Sequence, residues 1–400
     1  MHKSNKKLMV IGASWEQVPL LRTAKSTGCE ILATNLTPDA SGFDLATQSV
    51  VVDPRDLTAI LNLATASGIQ GVTADECDYS NYAANFVREM LSLPSADLAG
   101  AQVTTNKHWM RARCHENHVV QPRFQACRTL QDVQTAIDLI DYPVIVKPVD
   151  NRGSFGVRRV DGPSEVEDAF LHALMNSHSR EVLVEAFIEG IHLTVDGCFD
   201  GDSQHYNLGV ASKKITSGSK PIITEVMYPA DISEEQLSHV LDTNTRVIAA
   251  LGLTRGLTHS EYILDSAGRC FLLETANRGG GVLTSGLILP EITGVDLNRL
   301  LVQEALGEPF EVSPWKKSKA AKLVFFIFDS GTVTAINGIE EAAAVDGVKH
   351  LQLLIKAGDE IGPPESGAGR HGFGIFVGDD IETVDAIHAE CISKLKIEYA

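Results

Sequence analysis

Short apolar runs alternate with amphipathic stretches over the first hundred residues. The predicted strands are 8–11, 30–34, 50–52 and 71–74, and the predicted helices are 18–27 and 57–67. Gly28 and Gly68 follow these helices at a position that favours glycine, because the chain leaves a helix there in a left-handed conformation. Strand–helix alternation at this spacing is typical of a parallel sheet with crossover helices, so we expect an α/β fold.

Two loops of this region are candidate pocket loops. Ligands of parallel sheets bind beyond the carboxyl ends of the strands, where residues 12–14 and 75–80 stand. The first loop lacks the full GxGxxG spacing, so it does not predict a dinucleotide site. Each loop taken alone fits an ordinary strand-to-helix turn equally well.

The remaining chain divides into two further segments. For the whole chain we expect an α+β fold. We place the domain boundaries at 1–105, 106–308 and 309–400, in keeping with the two or three domains that 400 residues suggest. The last segment opens with a polar stretch, 311–319, and continues with predicted strands at 323–328 and 332–336. It ends in a predicted helix that follows Asp379-Asp380 and runs to about Leu395.

Composition excludes some classes of function. Hydrophobic residues make up 44% and charged residues 22% of the chain, which is typical of a globular protein. The formal net charge is −18, from 34 basic and 52 acidic residues. Such a chain repels nucleic-acid backbones and anionic lipid surfaces, so we expect neither a nucleic-acid partner nor membrane binding. A nucleotide site remains compatible with this charge, because it needs only local positive charge and metal ions.

The cysteines indicate a reducing compartment. The chain has 7 of them, scattered and without a CxxC pair, which favours reduced thiols over a disulfide framework or a zinc site. The basic start, 1–7, precedes an apolar run that is too short for a signal peptide. No run approaches the roughly 20 apolar residues of a membrane span. We therefore expect a cytoplasmic protein.

Lys147 ends a β-branched run, 142–146, and a loop with glycines, 150–157, follows it closely. Glycine permits positive φ, which brings backbone N–H groups close to phosphate oxygens. A lysine beside such a loop adds a mobile positive charge for the same phosphates. The loop pattern alone is a weak signal, because many hairpins contain two glycines, and a lysine at a strand end is usually just solvated.

Glu185 lies in the apolar strand 182–187. A carboxylate there costs free energy unless it has a partner. It can accept from the exocyclic amine or a ribose hydroxyl of a nucleotide, while the backbone at Ala186 and Phe187 pairs with the adenine edge. A glutamate on the solvated face of a strand is an equally good interpretation.

The stretch 258–278 predicts a β-hairpin. If Ala267-Gly268 forms a two-residue loop, Glu261 and Glu274 lie directly opposite each other, with Cβ atoms roughly 4.5–5.5 Å apart. A four-residue loop keeps this face, and a three-residue loop reverses it. Like charges so close are unfavourable unless cations lie between them. With Asn277 they form an all-oxygen set that suits Mg²⁺. The alternative is an exposed acidic hairpin.

Arg278 is followed directly by Gly279–Gly281. Three glycines are costly in conformational entropy, so close approach of a ligand is a reasonable explanation. Arg278 can hold a transferring phosphoryl group or a substrate carboxylate with two hydrogen bonds. A flexible surface loop is the alternative.

The ordered set of these residues resembles the ATP-grasp superfamily. Its members here are Lys107, Lys147, the 153–156 loop, Glu185, Glu261, Glu274, Asn277 and Arg278. The upstream parallel sheet is similar to the superfamily's pre-ATP domain. The resemblance thus implies a pre-ATP domain at 1–105 and an ATP-grasp domain at 106–308, with a lid subdomain at about 120–190.

The resemblance also implies the cofactors and their ligands. It implies ATP with two Mg²⁺ ions, for which Mn²⁺ can substitute. The implied nucleotide-binding residues are Lys107, Lys147, Ser154, Gly156, Glu185, Ala186 and Phe187, and the implied metal ligands are Glu261, Glu274 and Asn277. Where many members place an acid that binds ribose, this chain has His192, so Glu189 or His192 is expected to take that role.

The last segment resembles the C-terminal domain of L-amino-acid ligases. The similar pieces are 331–333, 338–342, 358–359 and 372–374. This likeness implies an enzyme that joins amino acids, or similar small acids and amines, and it implies a homodimer as one assembly.

The implied reaction passes through an acyl phosphate. Lys147 and the metal ions offset charge on the γ-phosphate, an amine attacks the acyl phosphate, and Arg278 stabilises the oxyanion. Lys213 and Lys214, with residues 217–220, are predicted to form a mobile cover. His259 and Gly280 are candidate substrate contacts, although His259 fits a packed or supporting histidine equally well. A bicarbonate-activating carboxylase and a non-catalytic nucleotide sensor are the alternative functions.

Overall fold

A computed structural model of the chain describes residues 6–151, 153, 155–216, 222–312, 319–364 and 366–400. Ser154 and residues 217–220 lie outside this range. Within it, no helix combines the length and the apolar character that crossing a membrane requires. All seven cysteines are free thiols.

The N-terminal region is a parallel sheet flanked by helices. Its strands are β1 (Lys7–Ile11), β2 (Glu30–Asn35), β3 (Gln48–Val51) and β4 (Gly71–Thr73). The helices up to residue 116 are α1 (Val18–Ser26), α2 (Leu57–Ser67), α3 (Asp78–Met90), α4 (Leu98–Thr105) and α5 (Lys107–Glu116). The strand order is β3-β2-β1-β4, with parallel pairing throughout. Leu8 and Val10 join one core and Met9 and Ile11 another, so both faces of β1 are buried.

The next region is a small antiparallel sheet covered by two helices. Its strands are β5 (Phe124–Cys127), β6 (Val144–Pro148), β7 (Arg158–Val160) and β8 (Val182–Ala186), and its helices are α6 (Leu130–Ile140) and α7 (Val166–Met175). The order is β5-β8-β6-β7, so Lys147 on β6 and Glu185 on β8 lie on neighbouring strands. Its own apolar core includes Val133, Val144 and Val184.

A long antiparallel sheet forms the centre of the molecule. The strands up to residue 276 are β9 (Ile191–Phe199), β10 (His205–Ile215), β11 (Ile223–Tyr228), β12 (Leu257–Leu264) and β13 (Cys270–Ala276). The helices are α8 (Glu234–Leu251), α9 (Leu289–Thr293) and α10 (Leu297–Ala305). One face of this sheet packs on α8, and the other packs on the N-terminal region.

The C-terminal segment extends the same sheet. Its strands are β14 (Ala320–Phe326), β15 (Gly331–Asn337), β16 (Val348–Leu353), β17 (Glu360–Ile361), β18 (Gly372–Gly378) and β19 (Lys396–Tyr399), and its helices are α11 (Ile339–Ala343) and α12 (Ile381–Lys394). Within the described ranges the central sheet has eight strands in the order β13-β12-β9-β10-β11-β14-β18-β16. The strands β17, β15 and β19 form a separate small sheet.

The predicted elements are present, with shifts of a few residues at their ends. The largest shift is in β14, which begins at Ala320 rather than at the predicted residue 323. Ala320 and Ala321 are buried opposite Gly378 and Val377 of β18. Alanine has a weak preference for strands, so the sequence pattern did not include them.

Removal of the C-terminal segment is expected to prevent folding of the remainder. A chain truncated after residue 308 loses the pairing of Val226 and Tyr228 with β14 and exposes the large core that both parts share. Urea unfolding followed by circular dichroism should show no cooperative transition. As a control, truncation after residue 395 removes only β19, which is largely exposed, and should keep the transition. A soluble 1–308 fragment with cooperative unfolding would contradict the prediction.

Candidate active site

The acidic hairpin brings Glu261 and Glu274 directly opposite each other, as predicted. The predicted two-residue loop is wrong, however. Asp265 pairs with Arg269, because the Asp265 carboxylate accepts the N–H groups of Ala267 and Arg269 and stabilises a longer loop, 266–268. Without a further change in register, this three-residue loop would place Glu261 and Glu274 on opposite faces of the hairpin.

A bulge restores the pairing of the two glutamates. Tyr262 pairs with Leu272 while Glu261 pairs with Glu274, which leaves Leu273 as the extra residue. The Leu273 carbonyl accepts a hydrogen bond from Arg111 at 2.8 Å. The buried arginine on α5 thus takes up a backbone group that the bulge releases from the ladder.

Lysines from two other elements balance the opposed glutamates. Lys213 Nζ lies 2.7 Å from Glu261 Oε1, and Lys107 Nζ lies 2.8 Å from Glu274 Oε2. Burial opposes charge on Glu261, but Lys213 and then His259 hold its pKa well below the usual range. Lys213 and Lys214 lie in β10, so the prediction that they belong to a mobile cover is wrong. Their backbone is fixed in the sheet ladder.

Asn277, the third residue of the predicted metal set, lies directly after β13 and is buried, and its role as a metal ligand stays a prediction. Its amide nitrogen donates to the carbonyls of Arg255 at 2.8 Å and Leu257 at 3.3 Å, so its oxygen is the atom it can offer to a cation. The described residues contain no cluster of three His, Cys, Asp or Glu side chains that could hold a metal. Two carboxylates and one amide oxygen fit Mg²⁺, which takes the rest of its shell from phosphates and water.

Glu185 is buried between two cations. Its Oε1 lies 2.6 Å from Arg111 Nε, and its Oε2 lies 2.6 Å from Lys147 Nζ. Burial opposes its charge, but Arg111 and Lys147 lower the pKa of Glu185 to about 2, so the carboxyl is ionised. Both oxygens therefore already have a protein partner, and the contact of Glu185 with adenine or ribose stays a prediction. Glu185 positions Lys147, and the group of three keeps one net positive charge.

The neighbouring strand end has fewer free groups than the prediction assumed. The N–H groups of Ala186 and Phe187 donate to the carbonyls of Arg123 and Pro143, so the predicted backbone contact with a nucleotide base would use the carbonyl oxygens. His192 on β9 is half-buried, and burial and then Lys213 lower its pKa.

The glycines near Lys147 have different roles. Gly153 and Gly156 both have positive φ. A Cβ at Gly156 would lie 2.7 Å from the Asn176 Cβ, so packing against the end of α7 already requires glycine there. Lys107 Nζ also donates to the Asn151 carbonyl at 2.8 Å, which links α5 to this loop.

Loops of the N-terminal sheet hold Arg278 and the glycines after it. Asp78 accepts two hydrogen bonds from Arg278, at 2.9 and 3.1 Å, and Asp75 accepts from the Gly279 N–H at 2.9 Å. The N–H groups of Val282 and Leu283 donate to Glu16 and Glu76 at 3.0 Å. The predicted pocket loop 75–80 therefore meets the glycine turn, and so does Glu16, two residues after the predicted loop 12–14.

His259 stands in a row of polar side chains across the central sheet. Its Nδ1 lies 2.7 Å from Asp196 Oδ1, and its Nε2 lies 3.6 Å from Glu261 Oε1. The Tyr228 hydroxyl donates to Asp196 Oδ2 at 2.6 Å. Burial opposes charge on His259, but Asp196 and Glu261 raise its pKa to about 9. His259 is thus held as a fixed donor beside a predicted metal ligand.

Two glycines make room for this row. The Tyr228 ring crosses β10 above Gly209, where a Cβ would lie 3.3 Å from the ring. A Cβ at Gly280 would lie 2.8 Å from His259 Nδ1. Gly280 therefore contacts the predicted substrate-contact histidine through close packing.

Asp196 and Arg111 are site residues that the sequence pattern did not predict. Asp196 gave the clearest signal, since it is a carboxylate inside the apolar strand 193–199. Arg111 lies one helical turn after Lys107 on α5, so their shared face was also visible. Asp78 lies within the predicted pocket loop 75–80, but its pairing with Arg278 gave no signal, because the two residues are 200 apart in the chain.

Comparison with known proteins defines the class. The family model of the ATP-grasp domain matches residues 140–286. D-alanine–D-alanine ligase from Bordetella petrii is 27% identical over 50% of this chain and 63% of its own length. The large chain of carbamoyl phosphate synthase from Caldanaerobacter subterraneus is 21% identical over 75% of this chain, which spans only 28% of that relative. Residues 140–286 thus match an ATP-grasp domain, as predicted.

A second family model matches the C-terminal segment of the chain. The model named L-amino acid ligase C-terminal domain 2 matches residues 324–400. The fold is similar to that of L-amino acid ligase from Bacillus licheniformis, with a TM-score of 0.84 and 24% identity over 100% of both chains. An uncharacterised protein from Sinorhizobium fredii is 26% identical over 86% of this chain and 72% of its own length. The predicted fold class and the likeness to L-amino acid ligases are confirmed.

Replacement of Glu185 should destabilise the protein strongly. Glu185→Gln leaves Arg111 and Lys147 buried without an anion, which costs about 3–5 kcal/mol in the free energy of unfolding at pH 7. The carboxyl pKa falls from about 4.3 when unfolded to about 2 when folded, so its contribution is complete above pH ~4.3 and lost as pH falls through ~2.

Urea titrations at several pH values can measure this difference. The exposed Glu167→Gln on α7 serves as the control and should change stability by less than about 0.5 kcal/mol. A Glu185→Gln protein as stable as the wild type at pH 7 would show that the buried ion group does not support the fold.

Replacement of Asp196 should slow the reaction more than it weakens nucleotide binding. Asp196→Asn keeps the shape but removes the charge that holds His259, so kcat for ADP release should fall about 10–100-fold. The KM for ATP should change far less. Tyr228→Phe, which removes only the outer hydrogen bond, should show a smaller loss. Equal kcat values for wild type and Asp196→Asn would rule out this role.

Proposed function

We propose that this chain joins the carboxylate of an amino acid to an amine, with ATP as the energy source and ADP and phosphate as products. The observation that carries the proposal is the opposed pair Glu261 and Glu274, balanced by Lys213 and Lys107. In such a site the lysines can leave the glutamates and bind the phosphates of a nucleotide. The glutamates can then bind the metal ions that accompany the nucleotide. The match of residues 324–400 to an L-amino acid ligase domain supports the choice of substrate.

The nucleotide phosphates are expected to contact Lys107 and Lys147. Lys147 is already oriented by Glu185, and Lys107 by the Asn151 carbonyl. Mg²⁺ bound by Glu261, Glu274 and Asn277 would supply further positive charge for the phosphates. Both lysines are partly or fully buried, so water screens their charge weakly. They can therefore hold the triphosphate and orient its terminal group.

The reaction has two steps. A carboxylate oxygen of the first substrate attacks the γ-phosphorus, the bond from that phosphorus to ADP breaks, and an acyl phosphate forms. The amine nitrogen then attacks the acyl carbon, phosphate leaves, and the nitrogen loses a proton.

Arg278 is the residue placed to stabilise the oxyanion of the second step. Asp78 holds its guanidinium with two hydrogen bonds, and burial alone would lower the pKa of Arg278, but Asp78 raises it above the usual range. A guanidinium fixed in this way does not need to reorganise when negative charge develops. His259, fixed by Asp196, offers a second donor next to Glu261.

The compartment follows from the chemistry. Free thiols at all seven cysteines and a requirement for ATP both suit the cytoplasm, where we place the enzyme.

ADP release tests the function. A screen over paired acids and amines, with mass detection of the product, should find amide formation, and bicarbonate without an amino acid should give none. Bicarbonate-dependent ADP release in the absence of amino acids would favour a carboxylase instead.

Glu274→Ala should lower the rate of ADP release by at least about 100-fold and leave the fold intact. The matched control is Glu308→Ala, since Glu308 forms an ion pair of the same length, 2.8 Å, with Lys6 away from the site. Undiminished ADP release from folded Glu274→Ala would reject the metal site.

A further inference from the structure

Arg370 is a half-buried cation that the proposed mechanism does not use. Its guanidinium carbon lies 3.6 Å from the centre of the Phe325 ring. Gly367 is also close to it, since a Cβ there would lie 3.1 Å from Nη2. The guanidinium therefore packs against an aromatic ring and against Gly367.

The other cations of the cleft all contact carboxylates. Lys107, Lys147, Lys213, Arg111 and Arg278 do so at 2.6–2.9 Å. Arg370 has no such partner in the described ranges, and its buried Nε has no hydrogen-bond acceptor there. Burial lowers the pKa of Arg370 to about 10, with no anion to offset it. A desolvated N–H group of this kind costs free energy unless a ligand accepts from it.

Arg370 lies on the face of the central sheet that carries the active site. Lys213 pairs with Val226, and Val226 pairs with Leu323, two residues before Phe325 on β14. Side chains two residues apart on a strand share a face. Two strand spacings and two residues of rise place the Cα of Phe325 roughly 12 Å from that of Lys213.

The aromatic residues beside Arg370 extend towards the glycine turn, 279–281. Phe325 contacts Phe373, and the Trp15 ring meets the Phe373 ring in a tilted arrangement at 5.1 Å between ring centres. The residue after Trp15 is Glu16, which accepts from the Val282 N–H. A chain of contacts thus links Arg370, through the aromatic rings and Glu16, to the turn that follows Arg278.

We propose that Arg370, supported by Phe325, binds an oxyanion of a substrate at the end of the cleft remote from the reacting carboxylate. The planar guanidinium offers paired N–H donors that match a carboxylate or phosphate. The substrate class is therefore an amino acid or short peptide with a second acidic group. The identity of the cleft rests on the proposed ligase function, whereas the anion site itself can be tested separately.

Nε resonances of arginine-labelled enzyme provide the direct test. Arg370→Lys, which keeps the charge, identifies the Arg370 signal by its loss. Titration with glutamate or O-phosphoserine should shift this signal, and glutamine and serine should not. The stronger response of the two acids shows whether the site takes carboxylate or phosphate. Equal shifts with glutamate and glutamine, or no shift with any anion, would overturn the proposal.

Kinetics give the second test. In Arg370→Met, kcat/KM for the acidic substrate should fall about 10–100-fold while that for its neutral amide changes little. Arg269→Met is the matched control, because Arg269 also stands over a phenylalanine, Phe271, but is bonded to Asp265. Equal losses with acid and amide would overturn the proposal.

The two proposals fail in different ways. A shift of the Arg370 signal without ADP release from any substrate pair would reject the ligase function and keep the anion site. Ligation of neutral amino acids alone, with an Arg370 signal that no anion shifts, would reject the anion site and keep the ligase function. Should Arg370→Met fail to fold, the titration of the wild-type enzyme still decides.

Discussion

Two carboxylates that face each other across one hairpin impose the main electrostatic constraint on this protein. Glu261 and Glu274 would repel each other in isolation, so the fold must bring cations to them. It does so from separate elements, with Lys213 from β10 and Lys107 from α5. Together with the histidine fixed by Asp196, these residues form a charged site. Its internal ion pairs can be replaced by ion pairs with a ligand. A nucleotide with its metal ions is a ligand of the right chemistry for such an exchange.

The N-terminal sheet is part of this site rather than an attachment to it. Its loops supply Asp75, Glu76 and Asp78, which hold the turn after Arg278. Val282 and Leu283 in that turn have positive φ, which is unfavourable for residues with side chains. Their N–H groups donate to buried or half-buried acids from the other domain, and these bonds offset the strain. The orientation of Arg278 therefore depends on the docking of two regions.

Much of the fold was predictable because strands and helices follow local periodicity. The opposed glutamates were predicted although the hairpin loop was not, since the longer loop and the bulge at Leu273 shift the register in opposite directions. The role of Glu185 was not predictable in the same way. Its partner Arg111 lies 74 residues earlier, and only tertiary packing decides whether a buried acid meets a ligand or a protein cation. The pairing of Asp78 with Arg278 was not predictable for the same reason.

The acidic net charge of −18 and the affinity for anions that this class requires are compatible because of where the cations lie. Exposed acids are screened by salt within about 8–10 Å, so they add little field inside the cleft. Lys107, Lys147 and Arg278 are buried or nearly so, where the effective dielectric is low and each charge acts strongly over short distances. The acids that pair with these cations offset their positive charge when no ligand is bound. Specific local pairing, rather than net charge, thus determines which anions the cleft can bind.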